Sequence, residues 1–175
     1  MKPTGKKIRP KSIKLKVPRT HKPDDLDVDE WQRMLRRQYA TTLSFKIRNT
    51  GDQPIFSEYA VTNHTSGRTY KVAVRGLQPG DNYCSCPDFS INRLGTCKHV
   101  EFVLARLLKK SGAKNTFTQG CRLPYSEVYL SYGLKREVRF RPGADVPSAI
   151  RPLIGDISIT PAHYGVACVG LQRIF

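Results

Sequence analysis

A chain of 175 residues, 39% of them apolar, is long enough for one or two small domains with a modest core. Its net charge of +16 points to a polyanion partner, usually nucleic acid, and no uninterrupted apolar run has membrane-spanning length. The basic N-terminus lacks the apolar stretch of a secretory signal, so the expected compartment is intracellular and reducing, where five cysteines favour metal over disulfides.

The charge is not a tail effect. Residues 1–30 hold nine Lys/Arg and five Asp/Glu, a balance of +4, which leaves +12 for the remainder. Met1 to Lys22 is rich in Lys and Pro and has no acidic residue; too few large apolar groups offset its ordering entropy, so residues 1–28 read as a disordered basic leader. The acidic cluster Asp24, Asp25, Asp27, Asp29 and Glu30 precedes a helix predicted from Trp31 to about Ser44, and carboxylates suit the positive end of a helix dipole.

Strand signals follow. Ile55 to Asn63 is apolar and aromatic, His64 to Gly67 reads as a turn, and Arg68 to Arg75 alternates, with Tyr70, Val72 and Val74 on one face and Thr69, Lys71, Ala73 and Arg75 on the other. Pro79-Gly80 marks a turn, and Tyr83 to Cys86 reads as a third short strand. Val100, Val103, Leu104, Leu107 and Leu108 then recur at helical spacing, with Thr96 placed to cap the helix and Gly112 to end it. Glu127–Tyr132 and Glu137–Arg141 read as a second hairpin, with Val138 and Phe140 inward and Arg139 and Arg141 outward. Residues 156–175 carry no clear pattern, and there is no internal repeat. The expected fold is α+β: a small antiparallel sheet and a ββα finger at about residues 68–110 within a domain at 29–112, a flanking helix, a hairpin extension at 113–155 and an unassigned tail.

Cys84, Cys86, Cys97 and His99 form a C-x-C-x10-C-x-H pattern. Three thiols and one imidazole complete a tetrahedral zinc shell, and a closed shell leaves no position for a catalytic water. Cys84 and Cys86, two apart in an extended segment, face one way, and Pro87 holds Cys86 extended. Cys97 and His99 cannot share one face inside a helix, so Cys97 is expected in the turn before the helix and His99 in its first turn. The ion then ties the hairpin tip to the helix N-terminus, which favours thiolates. Cys121 and Cys168 lack ligand partners at useful spacing, His64 sits in a turn, and His163 lacks a matching half-site.

Cys84-Ser-Cys-Pro-Asp-Phe followed by Leu94-Gly-Thr-Cys-Lys-His-Val-Glu resembles a SWIM-type zinc finger, whose pattern is C-x-C, a variable gap, and C-x-H opening a helix on a ββα core. Trp31-Gln-Arg-Met-Leu-Arg-Arg-Gln, Phe56-Ser-Glu-Tyr-Ala-Val-Thr-Asn, Arg68-Thr-Tyr and Pro124-Tyr-Ser-Glu-Val-Tyr-Leu are similar to the region ahead of the motor in bacterial helicases of the switch/sucrose-nonfermentable class. That likeness covers roughly residues 30–155 and implies a zinc module that contacts DNA or protein and accompanies a DNA translocase. No G-x-x-x-x-G-K-[ST] phosphate loop is present, so the chain reads as the N-terminal part of a longer helicase-type product or as a stand-alone relative, without an ATPase engine.

Lys71, Arg75, Arg93, Lys98, Arg106, Lys109 and Lys110 are the expected phosphate contacts, which would give salt-sensitive binding without base choice. A second reading is an adaptor that docks a helicase motor or another subunit through Tyr125 and Tyr129. No Ser/His/Asp or paired-carboxylate constellation stands out, so no catalysis is expected.

Overall fold

Asp27 closes the acidic run in an extended conformation, and its Oδ1 accepts the Glu30 backbone N–H at 2.8 Å. The first helix, α1, therefore spans Val28–Ala40 rather than starting at Trp31. The computed structural model describes residues 16–133 and 135–149, and the backbone of residues 158–159. Within the leader read as disordered, residues 1–15 lie outside that description. From Lys16 onward the segment is tied to α1. The Val17 backbone N–H donates to Gln38 Oε1 at 2.9 Å, the Trp31 indole N–H donates to the Pro18 carbonyl at 2.9 Å, and Val17 is buried.

Four antiparallel strands follow, β1 (Phe45–Asn49), β2 (Glu58–Asn63), β3 (Thr69–Ala73) and β4 (Tyr83–Cys84), in the order β1-β2-β3-β4. The sequence does not signal the first, because Phe45 to Asn49 offers only five alternating residues, and α1 ends at Ala40 rather than at about Ser44. Register places Ile47 and Tyr70 on either side of Val61 and sets Cys84 opposite Val72. The inner face carries buried Phe45, Tyr59, Val61, Val72 and Cys84, while Lys46, Arg48 and Lys71 on the outer face are exposed.

The strand expected to run to Cys86 stops at Cys84, because Cys86 caps a short helix, α2 (Pro87–Ile91), with Pro87 at its first position. The next helix, α3 (Lys98–Leu107), is capped by Cys97 rather than by Thr96. The Thr96 hydroxyl instead donates to Glu101 Oε1 at 2.9 Å. Val100, Val103, Leu104 and Leu107 are buried as the periodicity requires, a gross gain of about 1.5–3 kcal/mol for each side chain. Leu108, assigned to the same face, caps the helix C-terminus and is exposed. Phe102 is buried on another side of α3, edge-on to Phe45 with ring centroids 5.1 Å apart, so the helix is enclosed by the sheet and by α1. Gly112 does not end α3; with φ at +74°, it opens a further helix, α4 (Ala113–Gln119), whose Phe117 packs edge-on against Phe56.

Strands β5 (Glu127–Tyr132) and β6 (Arg136–Arg141) form the expected hairpin, and β7 (Ser158–Ile159), inside the tail that showed no pattern, adds a third strand beside β6. Arg141 is not turned outward as the alternation suggested. It donates to Glu127 Oε2 at 2.9 Å, and its guanidinium lies 4.3 Å from the Tyr129 ring centroid.

Arg75 joins the two sheets. Its side chain is only 5% exposed and donates to both oxygens of Glu127, to Glu58 and to the Val74 carbonyl. This corrects its reading as a nucleic-acid contact. β3 ends at Ala73, so period-two alternation no longer governs where Arg75 points, and two carboxylates draw it in. A second contact ties the second sheet to α2, where Tyr132 of β5 lies against Phe89 with centroids 5.0 Å apart. At Gly95, φ is +67° and a Cβ would lie 2.5 Å from the Gly80 nitrogen and 2.7 Å from the Tyr132 carbonyl oxygen, so only glycine fits that crossing.

Candidate metal centre

β4 delivers Cys84 to the inner face of the sheet, where it is buried opposite Val72. Pro87 confines Cys86 to extended geometry, with φ −81° and ψ 151°, and that conformation starts α2. The Cys86 sulfur then accepts the Phe89 backbone N–H at 3.4 Å, so the first turn of α2 points a donor at the thiol. Cys97 is likewise extended, with φ −152° and ψ 172°, in the turn before α3, and His99 lies in the first helical turn, as expected from spacing. Cys86, Cys97 and His99 thus sit at helix N-termini, where the backbone dipoles favour negative charge, and Cys84 reaches them from β4.

The four side chains converge. Their ligand atoms all lie within 4.8 Å of one another, and all four residues are buried. His99 presents Nδ1 to the sulfurs, 3.8 Å from Cys84 Sγ and 4.0 Å from Cys97 Sγ. Zinc bonds of about 2.3 Å to sulfur and 2.0–2.1 Å to nitrogen place neighbouring ligands of a tetrahedron somewhat under 4 Å apart, so these separations suit one ion with little adjustment. Phe45 and Tyr70 hold the imidazole between them, their ring centroids 5.1 and 4.7 Å from its own. Neither aromatic was anticipated as part of the site, although Tyr70 and Val72 on one strand face, two and four residues into the finger, carry the signal.

The electrostatics of the thiols also call for a cation. Hydrogen bonds to the Cys86 and Cys97 sulfurs, together with burial, hold the Cys84 thiol far above its ordinary value. Burial pushes Cys97 up to about 12. Hydrogen bonds from the Cys84 and Cys97 thiols, with that of the Phe89 amide, hold Cys86 well below its usual range. The cluster alone favours one thiolate flanked by two thiols, whereas three thiolates in so small a buried space require a compensating divalent charge. Soft sulfur donors and a single imidazole in closed tetrahedral array are the donor set of a structural zinc.

Around this centre α1 acts as a brace. Arg33 donates to the Leu94 carbonyl at 3.1 Å, Arg36 pairs with Asp88 at 2.9 Å, and Arg37 pairs with buried Glu101 at 3.1 Å. The remaining sequence-predicted phosphate contacts are not gathered into one patch. Lys71 projects from the sheet face opposite the one that packs α3, whereas Arg106, Lys109 and Lys110 lie at the C-terminal end of α3. Arg93 is exposed between α2 and α3, Lys98 is half-buried, and Arg106 lies 5.1 Å from the Phe102 ring centroid. Cys121 is half-buried with its thiol raised by burial, and Cys168 and His163 fall outside the described residues.

A sheet, a segment that carries two metal ligands and a helix that opens on the other two define a structural zinc finger. Residues 70–108 match the SWIM zinc finger family model, which spans all four ligands and α3. No curated protein and no solved structure matches the chain. The protein carries a SWIM zinc-binding module with one structural zinc site.

Proposed function

We propose that this zinc-stapled module binds nucleic acid, most simply DNA, through its phosphate backbone, as the accessory region of a helicase-type protein and with no chemistry of its own. The observation that carries the reading is how the charges are distributed. The carboxylates Glu58, Asp88, Glu101 and Glu127 are all consumed by internal arginine pairs. Lys71, Arg93, Lys98, Arg106 and Lys109 take part in no ion pair among the described residues, and all but half-buried Lys98 are exposed. Surplus cations on a rigid scaffold attract phosphate and steer its approach. The non-catalytic part of the reading rests on the ligand set, since four converging protein donors suffice to fill a tetrahedral zinc shell.

The adaptor reading has less support. Tyr125 is 40% exposed, but the face of Tyr129 is occupied by Arg141. Among the described residues no helix is long and apolar enough to cross a membrane.

The test is the affinity of the zinc-loaded chain for a labelled DNA duplex between about 50 and 200 mM salt. A linear fall of log affinity with log salt, with a slope of about −0.9 for each phosphate contacted, supports the reading. Salt-independent or undetectable binding overturns it, and recovery of a helicase motor by pull-down after nuclease treatment would then favour the adaptor.

A further inference from the structure

The outer face of the four-stranded sheet carries a cross-strand pattern that the finger itself does not need. Register sets Lys46, Thr62 and Thr69 in one row and Arg48, Ala60 and Lys71 in the next. Lys46, Arg48, Thr69 and Lys71 are exposed, so no other element covers this part of the face. The only carboxylate within β1 to β4 is Glu58, and Arg75 holds it in an ion pair. Asp52, the nearest other acid in sequence, lies in the connection after β1.

We propose that this outer sheet face, with Lys46, Arg48 and Lys71 as phosphate contacts, is the surface on which a DNA duplex lies. The proposal rests on the nucleic-acid reading above and gives it a location. Strands about 4.8 Å apart separate the backbones of Arg48 and Lys71 by about 10 Å, and only the methyl group of Ala60 stands between them. A phosphodiester chain can therefore approach the sheet closely, with a long cationic side chain on either side. The Thr62 and Thr69 hydroxyls, 2.8 Å apart, add uncharged hydrogen-bonding groups in the adjoining row. Phosphate contacts of this kind position a duplex without reading its bases.

The test compares three forms of the zinc-loaded full chain on one labelled duplex across a salt series: the wild type, Lys46→Gln/Arg48→Gln/Lys71→Gln, and a control, Lys114→Gln/Arg122→Gln/Lys135→Gln. The control removes the same charge from exposed positions in α4, after it, and in the β5–β6 turn. The six altered side chains are all exposed, and retention of one zinc per chain checks the fold. The expected result is a salt slope shallower by about 2–3 units and an affinity about 10-fold lower or worse for the sheet variant, with the control close to wild type. Equal losses in both variants, or an unchanged sheet variant while the wild type binds, overturn the location and leave the nucleic-acid reading standing. A wild type that does not bind the duplex overturns both.

Discussion

Glu127 shows how one side chain can decide the placement of a whole module. Burial alone would push its carboxyl up, yet the hydrogen bonds and charges of Arg75 and Arg141 outweigh this and hold it below the ordinary range. A carboxylate depressed in the fold stabilises it fully above its unfolded value of about 4.3, and the contribution fades as the pH falls through the folded value. Glu127→Gln leaves the buried Arg75 with only half-exposed Glu58 as a charged partner, at an expected cost of about 1–3 kcal/mol at neutral pH. The difference in urea midpoint between wild type and variant should be constant from about pH 7 to 5 and narrow below about pH 4.3. Because metal loss in acid affects both proteins, the difference isolates the carboxylate; a difference that grows towards acid would refute the account.

At the scale of elements, the two helix N-termini matter most, and they were unequally legible. Cys97 and His99 announce the start of α3, and the buried stripe from Val100 to Leu107 repeats often enough to define a helix. α2 has five residues, too few for any periodicity, so the C-x-C pair looked like a strand when its second cysteine is in fact a helix cap. β1, also five residues long, is illegible for a similar reason. The burial of Arg75 is not legible because alternation describes a residue only while the strand continues, and its partners Glu58 and Glu127 are distant in sequence. The ligand set is legible regardless of these boundaries, since the C-x-C and C-x-H spacing marks the donors that converge. Cys86→Ser separates the two roles of that residue: serine is a good N-cap and should preserve α2, but it supplies no thiolate. Zinc affinity measured by chelator competition should fall by more than about 100-fold, beyond the loss expected for an outer partner of a ligand. An unchanged affinity would remove Cys86 from the site.

For the whole molecule, the metal site lies where the first sheet, α2 and α3 meet. Cys84 belongs to the sheet, Cys86 caps α2, and Cys97 and His99 open α3; α1 grips the same region through Arg33, Arg36 and Arg37, while Tyr132 of the second sheet rests on Phe89. A structural zinc contributes roughly 10–16 kcal/mol in small modules, comparable to or above the ~5–15 kcal/mol by which whole domains are stable. Removing it also leaves three sulfurs and an imidazole packed together without the cation that reconciles them. Chelation should therefore cost more than the finger alone. We expect loss of near-ultraviolet dichroism from the aromatic cluster around His99, and new proteolytic cleavage at Arg93, between α2 and α3, or at Lys98, where α3 begins. Cleavage should spread to the α1 arginines as their partners Leu94, Asp88 and Glu101 loosen, and added zinc should reverse both signals at one equivalent per chain. Unchanged dichroism and an unchanged digestion pattern after complete metal removal would mean that packing alone holds these units together.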